Sequence, residues 1–338
     1  MTNFNSGFNS ISPETKEKIV KSITEDNIFE IGHRSLEFKE IVNSLAESFR
    51  DYLNVPNNYH ILFFQGGSSL QFHTINQFGK GAYITTGYWG NKVFKHAKDG
   101  IEIWNNDSVP DVSDLKIPSD IEFIHYCSNE TVSGLQFPEY QKFNKPVIVD
   151  CSSDLLTREI NWNNVDMVYA HSQKNVGTVG VTVVIIKDDL LQTEPDNIPD
   201  ILSYKVNLKH NSIYNTAPVF NLNVTLIAMK DLIEKFTNIS NIKDKYVDFS
   251  NKVYDCIDNS QLFYNDIKNR SKSTITFFVN PELGLSEEKV HSYLLKSNMT
   301  GVKGHRSIGG FRLSITPALL NDDTLDLIIK TLSVETII

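Results

Sequence analysis

Cysteine is scarce in this chain, basic charge is in deficit, and no apolar run is long. The three cysteines, Cys127, Cys151 and Cys256, are odd in number and widely spaced. That spacing suits neither a disulfide framework nor a zinc ribbon, which points to a reducing, cytoplasmic setting. Lysine and arginine total 32 against 41 aspartates and glutamates, a formal net charge of -9. Such a balance argues against broad binding to nucleic acid or to a membrane surface. The longest apolar run, near Val179 to Ile186, is far too short to span a bilayer. The opening MTNFNSGFNSISPETK is polar and has no apolar segment of the kind a signal peptide needs.

What is present is ample material for a core. With 338 residues and 40% hydrophobic content, the chain predicts one large domain and a smaller one. Ser12-Pro13 reads as a helix N-cap followed by proline at the first helical position, opening a helix to about Glu25. A longer amphipathic helix is predicted from Leu36 to Leu53, with Ile41, Val42, Leu45 and Phe49 on one face. Then the period changes. HILFFQ, AYITTG, IEFIHYC, PVIVD, VDMVYA and GVTVVII are short apolar runs, and helix-like stretches such as Asn91 to Lys98 and Pro138 to Phe143 lie between some of them. This pattern predicts a mostly parallel sheet covered on both faces. A long helix is predicted from Pro218 to Phe236. Beyond about residue 240 comes a smaller α/β unit: helix Ile242 to Ile257, strand Thr274 to Val279, helix Ser286 to Ser297, strand Phe311 to Ile315 and helix Asp323 to Leu332.

Against that background several residues carry chemistry. Lys174 sits in a small-residue turn between two apolar runs, in VYAHSQKNVGTVGVTVVII. Partial desolvation there would lower its pKa, the state in which a lysine attacks a carbonyl to form a Schiff base. A solvated lysine in a β-turn is the plainer alternative. Asp150 ends the run PVIVD, and in open α/β sheets ligands bind outside the carboxyl ends of the strands. A Schiff-base lysine and a strand-ending aspartate are the pair that pyridoxal phosphate (PLP) requires, the aspartate keeping the pyridinium nitrogen protonated. A helix N-cap is the other reading of Asp150.

FFQGGSSLQF places Gly66, Gly67, Ser68 and Ser69 between a strand and a helix, where backbone and hydroxyl donors meet an anion. The Walker spacing is absent. Trp89 in TTGYWGNKV is able to stack on a flat ring, or to serve as a core residue. His33-Arg34 and the KGHRSIGGFR segment, with His305, Arg306 and Arg312, are basic groups in an acidic chain and lean towards anion binding.

Taken together, EIGHRSLEF, LFFQGGSSLQF, TTGYWG, HYCSNETVSG, VDCSSDLLTREI, YAHSQKNVGTVGVTVVIIKDDLL, SIYNTAPVF and KGHRSIGGFRLSI resemble, in order, the phosphoserine aminotransferases. These are homodimeric fold-type I PLP enzymes of the class-V aminotransferases. The resemblance implies a large domain over residues 11–243, built on a mostly parallel seven-stranded sheet covered by helices. Residues 244–338, with 1–10, would form the small α/β domain. It implies that Lys174 carries the cofactor as a Schiff base, that Asp150 pairs with its pyridinium nitrogen, and that Trp89 stacks on its ring. Thr131 would contact it near the phenolic oxygen. Ser68, Ser69 and Gln173 would hold its phosphate, with Asn215 and Thr216 of the partner subunit. Arg312 would take the substrate α-carboxylate, and His33, Arg34, His305 and Arg306 the distal phosphate or γ-carboxylate.

The activity implied is reversible amino transfer between O-phospho-L-serine with 2-oxoglutarate and 3-phosphohydroxypyruvate with L-glutamate, in serine biosynthesis. The vitamin B6 precursor 4-phosphohydroxy-L-threonine stays open as a second substrate. Departures from the family pattern are Phe8 in a proline position, Ala217 for the first of a proline pair, and a short stretch between Gly100 and Pro118. Two other readings compete. A cysteine desulfurase on the same fold would need a mobile-loop cysteine, and a non-catalytic phosphate-binding protein would need neither Lys174 nor Asp150.

Overall fold

The structure, a computed structural model, describes residues 1–7 and 11–337. Phe8 therefore lies outside the described residues. Seven strands form the central sheet in the order Tyr59–Gln65, Val181–Lys187, Met167–His171, Val147–Asp150, Phe123–Cys127, Gly81–Thr85, Ile101–Asn105. Val181–Lys187 runs antiparallel to both of its neighbours. Every other pairing is parallel. The expected mostly parallel sheet is thus present. The central strands are buried along their whole length, because both faces are covered and neither can be polar.

Alternate residues feed two cores. Val147, Val149, Val168, Ala170, Val183 and Ile185 join the larger one, packed with Phe38, Val42, Leu45 and Phe49 from helix Leu36–Tyr52 and Leu222, Leu226 and Met229 from helix Val219–Phe236. Ile148, Met167, Tyr169, Val184 and Ile186 face the other way, towards Phe72, Ile75 and Tyr204. Successive side chains on a strand point to opposite faces, so a run apolar at every position serves both.

The C-terminal part carries a three-stranded antiparallel sheet, Phe263–Tyr264, Thr274–Val279 and Phe311–Ser314. Helices Ile239–Asp258, Glu287–Lys296 and Asp322–Leu332 pack into the same core. The N-terminal Thr2–Asn3 pairs in parallel with Met299–Thr300, and Ser314 N–H donates to the Phe4 carbonyl at 3.1 Å. The expected boundary at 243/244 falls inside the continuous helix Ile239–Asp258.

Local signals placed most elements well. Ser12 caps helix Pro13–Thr24 by accepting from Thr15 N–H at 3.1 Å. Three differences have physical causes. The expected helix at Pro138 to Phe143 is irregular chain. A tertiary bond takes up its backbone instead, Gln141 N–H donating to the Tyr126 hydroxyl at 3.1 Å. The helix expected from Asn91 runs Tyr88–Phe94, its first turn held by a carboxylate distant in sequence. The strand Ile101–Asn105 was not anticipated, since as an edge strand it is only half-buried and reads IEIWN.

A buried ionic cluster ties the floor of the main sheet to the segment that follows. Asp154, fully buried, accepts from the Ser128 hydroxyl, from Gln136 Nε2 at 3.1 Å and from Arg158 Nη2 at 3.0 Å. Arg158 also stacks on the Tyr140 ring, 4.7 Å from its centroid. Removing one member leaves the other charge buried and unpaired, which costs about 3–5 kcal/mol. Asp154→Ala is therefore expected to lose stability of that order in urea unfolding. A loss below about 1 kcal/mol would mean that the cluster is solvated rather than buried.

Candidate active site

The parallel strands end on one edge of the sheet, and the chemistry collects there. The register sets Cys127 beside Asp150 and Asp150 beside Tyr169. Asp150 Oδ1 accepts from Ser152 N–H at 2.9 Å, closing a turn, and turns rather than a helix follow. The N-cap alternative for Asp150 is thereby excluded. Burial raises its pKa to about 6, against the pull of Ser152 and Lys174.

Lys174 lies in the turn between Met167–His171 and Val181–Lys187. That turn is locked on both sides. Val176 N–H returns to Ser172 O at 3.0 Å, and Asn175 Nδ2 donates to Leu155 O at 2.8 Å. Gly177 lies so close to helix Val219–Phe236 that a Cβ there would meet Thr225 Oγ1 at 2.6 Å. Protein surrounds the ammonium, and desolvation lowers its pKa to about 8; Asp150 opposes the shift and Arg312 adds to it. This is a desolvated lysine, not a solvated turn residue. Its Nζ stands 5.9 Å from the centre of the Trp89 ring.

Trp89 is fixed at three points. Its indole Nε1 donates to Thr131 Oγ1 at 3.0 Å, its backbone N–H donates to Glu130 Oε2 at 2.9 Å, and Gly90 N–H donates to Glu130 Oε1 at 2.7 Å. Glu130 is fully buried, and desolvation raises its pKa to about 7. Gly87 is required by this contact, since a Cβ there would come within 2.8 Å of the Glu130 carboxyl carbon. The sequence reading passed over Glu130. Its one signal was an acidic residue in SNET, just past the apolar run that ends at Cys127.

Thr131 in turn reaches the small sheet, its carbonyl accepting from Arg312 Nη1. Arg312 has no carboxylate partner among the described residues, and its Nε is buried without an acceptor. A half-buried guanidinium in that state is suited to an incoming carboxylate. His305 stacks near Tyr88 at 4.8 Å between ring centroids, and its Nδ1 pairs with Ser307 Oγ at 2.7 Å. Arg306 beside it is exposed. The glycines of this loop allow a close crossing: Gly310, at φ 66°, donates to Glu287 Oε1 at 2.8 Å.

The turn Gly66-Gly67-Ser68-Ser69 completes the site. Gly66 adopts φ 96°, and a Cβ on either glycine would meet nothing within 4 Å. Gly66 N–H bonds to Gly180 O at 3.0 Å, whereas Gly67 and Ser68 N–H find no acceptor among the described residues. Ser68 is buried against the Ser152 hydroxyl at 2.6 Å, Ser69 is exposed, and Gln173 Nε2 donates to Gly7 O at 3.3 Å. These features suit PLP: free donors beside open space for a phosphate, a flat indole, a desolvated amine and a buried carboxylate.

Four expected residues do not join this cluster within the chain. Arg34 Nη1 contacts His33 Nε2 at 2.6 Å ahead of helix Leu36–Tyr52, and neither reaches His305, Arg306 or Arg312 by a hydrogen bond. Asn215 is partly buried and Thr216 exposed on the loop before helix Val219–Phe236, with no bond to Ser68, Gln173 or Lys174. The cysteines lie wrongly for a desulfurase. Cys127 and Cys151 are buried, with thiols pushed up by desolvation, and Cys256 pairs with Ser333 in the C-terminal part. No group of residues able to hold a metal occurs among the described residues, and no helix among them is long and apolar enough to cross a membrane.

Comparison with known proteins accords with this geometry. Residues 18–323 match the sequence model of the aminotransferase class-V family. Phosphoserine aminotransferase from Halalkalibacterium halodurans is 34% identical over 341 residues, covering 93% of this chain and 92% of that protein. The phosphoserine aminotransferase structure from Bacillus circulans subsp. alkalophilus superposes with a TM-score of 0.90 at 30% identity, covering 97% of this chain and 96% of that one. The PLP-bound phosphoserine aminotransferase from Trichomonas vaginalis gives 0.91 at 29% identity, covering 97% and 98%. A family match over most of the length, joined to a desolvated lysine and a buried aspartate at the same sheet edge, leads to one conclusion: the chain belongs to the class-V aminotransferases and, within them, to the phosphoserine aminotransferase family.

Proposed function

We propose that this protein exchanges an amino group between O-phospho-L-serine with 2-oxoglutarate and 3-phosphohydroxypyruvate with L-glutamate, using PLP held by Lys174, in serine biosynthesis. The observation that carries the reading is a desolvated Lys174 within reach of the charges of a buried Asp150 and of an Arg312 that lacks an acidic partner among the described residues. When bound, PLP supplies an aldehyde that exchanges amines and a ring that accepts the electron pair left on the substrate α-carbon.

The chain's residues supply the rest. Lys174 has a depressed pKa, so a useful fraction of its amine is free to attack at neutral pH. With PLP and substrate bound, its Nζ would move the proton on and off the substrate α-carbon. Asp150 would hold a proton on the ring nitrogen. Trp89 would support the ring face, and Thr131, which accepts from the indole, would contact the ring near its phenolic oxygen. Ser68, Ser69, Gln173 and the free N–H groups of Gly67 and Ser68 hold the phosphate. Arg312 binds the α-carboxylate.

His305 and Arg306 remain for the distal anion. His33 and Arg34, which make no hydrogen bond to them within the chain, reach it from the partner subunit of a homodimer, as Asn215 and Thr216 reach the cofactor phosphate. Two arginines and two histidines suit a phosphate dianion better than a lone carboxylate. In the same reading residues 11–243 form the large domain, and 244–338 with 1–10 the small one. Three free cysteines, two of them buried, fit a reducing, cytoplasmic setting.

Three measurements test this. The first follows the amine of Lys174. Its protonated form predominates below pH 8 and does not attack, so the rate at which cofactor-free protein couples to PLP should rise about tenfold per pH unit up to about 8, then level off. Lys174→Ala should never couple, and a rate independent of pH between 6 and 8 would contradict the desolvated amine. The second concerns the shared site. At phosphoserine well below the KM of Arg34→Ala, where that variant is nearly silent, mixing it with the inactive Lys174→Ala should restore about a quarter of wild-type activity, because half the dimers carry one intact site. No recovery after verified subunit exchange would place both residues in one subunit's site. The third is specificity. One charge-assisted bond contributes about 1.5–3 kcal/mol, so Arg306→Ala should raise KM for phosphoserine roughly ten- to a hundredfold. The absorption of the bound cofactor should not change. Equal use of serine and phosphoserine by the wild type would refute the phosphate assignment.

A further inference from the structure

We infer that His171 is a donor to the phosphate ester of the cofactor, a role that rests on the PLP reading above. His171 ends the strand Met167–His171. Alternate residues of that strand, Val168 and Ala170, enter one core, while Met167 and Tyr169 enter the other. His171 therefore leaves the sheet on the side of Tyr169, which is also the side of Ile148 and hence of Asp150.

The register then fixes what lies on either hand. Asp150 pairs with Tyr169, so His171 stands two residues beyond it towards the open edge. Across the sheet His171 pairs with Thr182, and Thr182 pairs with Phe64, two residues before Gly66. Thr182 Oγ1 donates to Gly66 O at 3.0 Å. His171 is thus one strand spacing, about 4.8 Å, from the strand of Asp150 and two spacings from the strand that leads into the glycine turn. A molecule spanning Asp150 and that turn passes over it.

The imidazole makes no hydrogen bond to any other described residue, its one contact being with its own backbone. Nδ1 is shut away from solvent without an acceptor. A buried N–H without an acceptor is costly, so the proton of the neutral ring belongs on Nε2, the nitrogen not shut in. Desolvation, with the charge of Lys174 beside it, lowers its pKa to about 3, so the ring is neutral. An apolar side chain would fill the same space without stranding a nitrogen. What the arrangement lacks is an acceptor, and a phosphate ester lying between Asp150 and the free N–H groups of Gly67 and Ser68 provides one.

The test uses cofactor-free protein and three probes measured by calorimetry: PLP, pyridoxal and inorganic phosphate. Pyridoxal has the same ring and aldehyde without the phosphate. His171→Ala should bind PLP and inorganic phosphate about tenfold more weakly, the loss of one hydrogen bond, while pyridoxal stays within about twofold. His171→Gln, which keeps a side-chain N–H donor, should recover most of the difference. Unchanged PLP affinity in His171→Ala overturns the inference, as does an equal loss for pyridoxal and PLP, which would make the ring a packing residue. A wild-type protein that binds neither aldehyde would instead refute the cofactor reading itself.

Discussion

The desolvation of Lys174 beside Asp150 is the constraint around which the structure is organised. Charged groups are seldom buried, because leaving water costs more than an imperfect pairing returns. Here burial weakens each as an ion, moving the lysine down to about 8 and the aspartate up to about 6. A lysine near 8 is still mostly protonated at neutral pH yet exchanges freely with the amine, which is the compromise a nucleophile needs. The parallel sheet makes this possible. Its strands are covered on both faces, so the only place for polar chemistry is the edge where they end.

That edge would be useless without rigid surroundings. Three carboxylates do the anchoring, two of them by accepting from groups far away in sequence. Asp150 closes its own turn through Ser152, Glu130 holds the first turn of helix Tyr88–Phe94, and Asp154 gathers Ser128, Gln136 and Arg158. Through Thr131 the same chain of bonds passes from Trp89 to Arg312, linking helix Tyr88–Phe94 beside the large sheet to the edge of the small one. In the proposed reading this would connect cofactor support and substrate recognition mechanically.

Much of this was legible in the sequence because its causes are local. Ser12 followed by Pro13 announces a helix start, and the unbroken apolar runs announce strands buried on both faces. Asp150 and Lys174 stood out as polar residues where such runs end. Glu130 did not stand out, because its partners, the N–H groups of Trp89 and Gly90, lie 40 residues earlier. The same contact moved the start of the Tyr88–Phe94 helix away from its expected place. The irregular chain at Pro138 to Phe143 has a similar origin, since a tyrosine hydroxyl on another strand takes up its backbone.

The sequence by itself determined the parts: which runs become strands, where the amine and carboxylate fall, and which family they resemble. Periodicity, caps and turn residues act over a few positions, so one dimension suffices to read them. Only the tertiary structure decided that Lys174 is largely desolvated, that Arg312 lacks an acidic partner among the described residues, and that His33 and Arg34 make no hydrogen bond to His305 or Arg306. Each of those depends on how much water remains and which group lies opposite. Distance through space sets both, and sequence order does not.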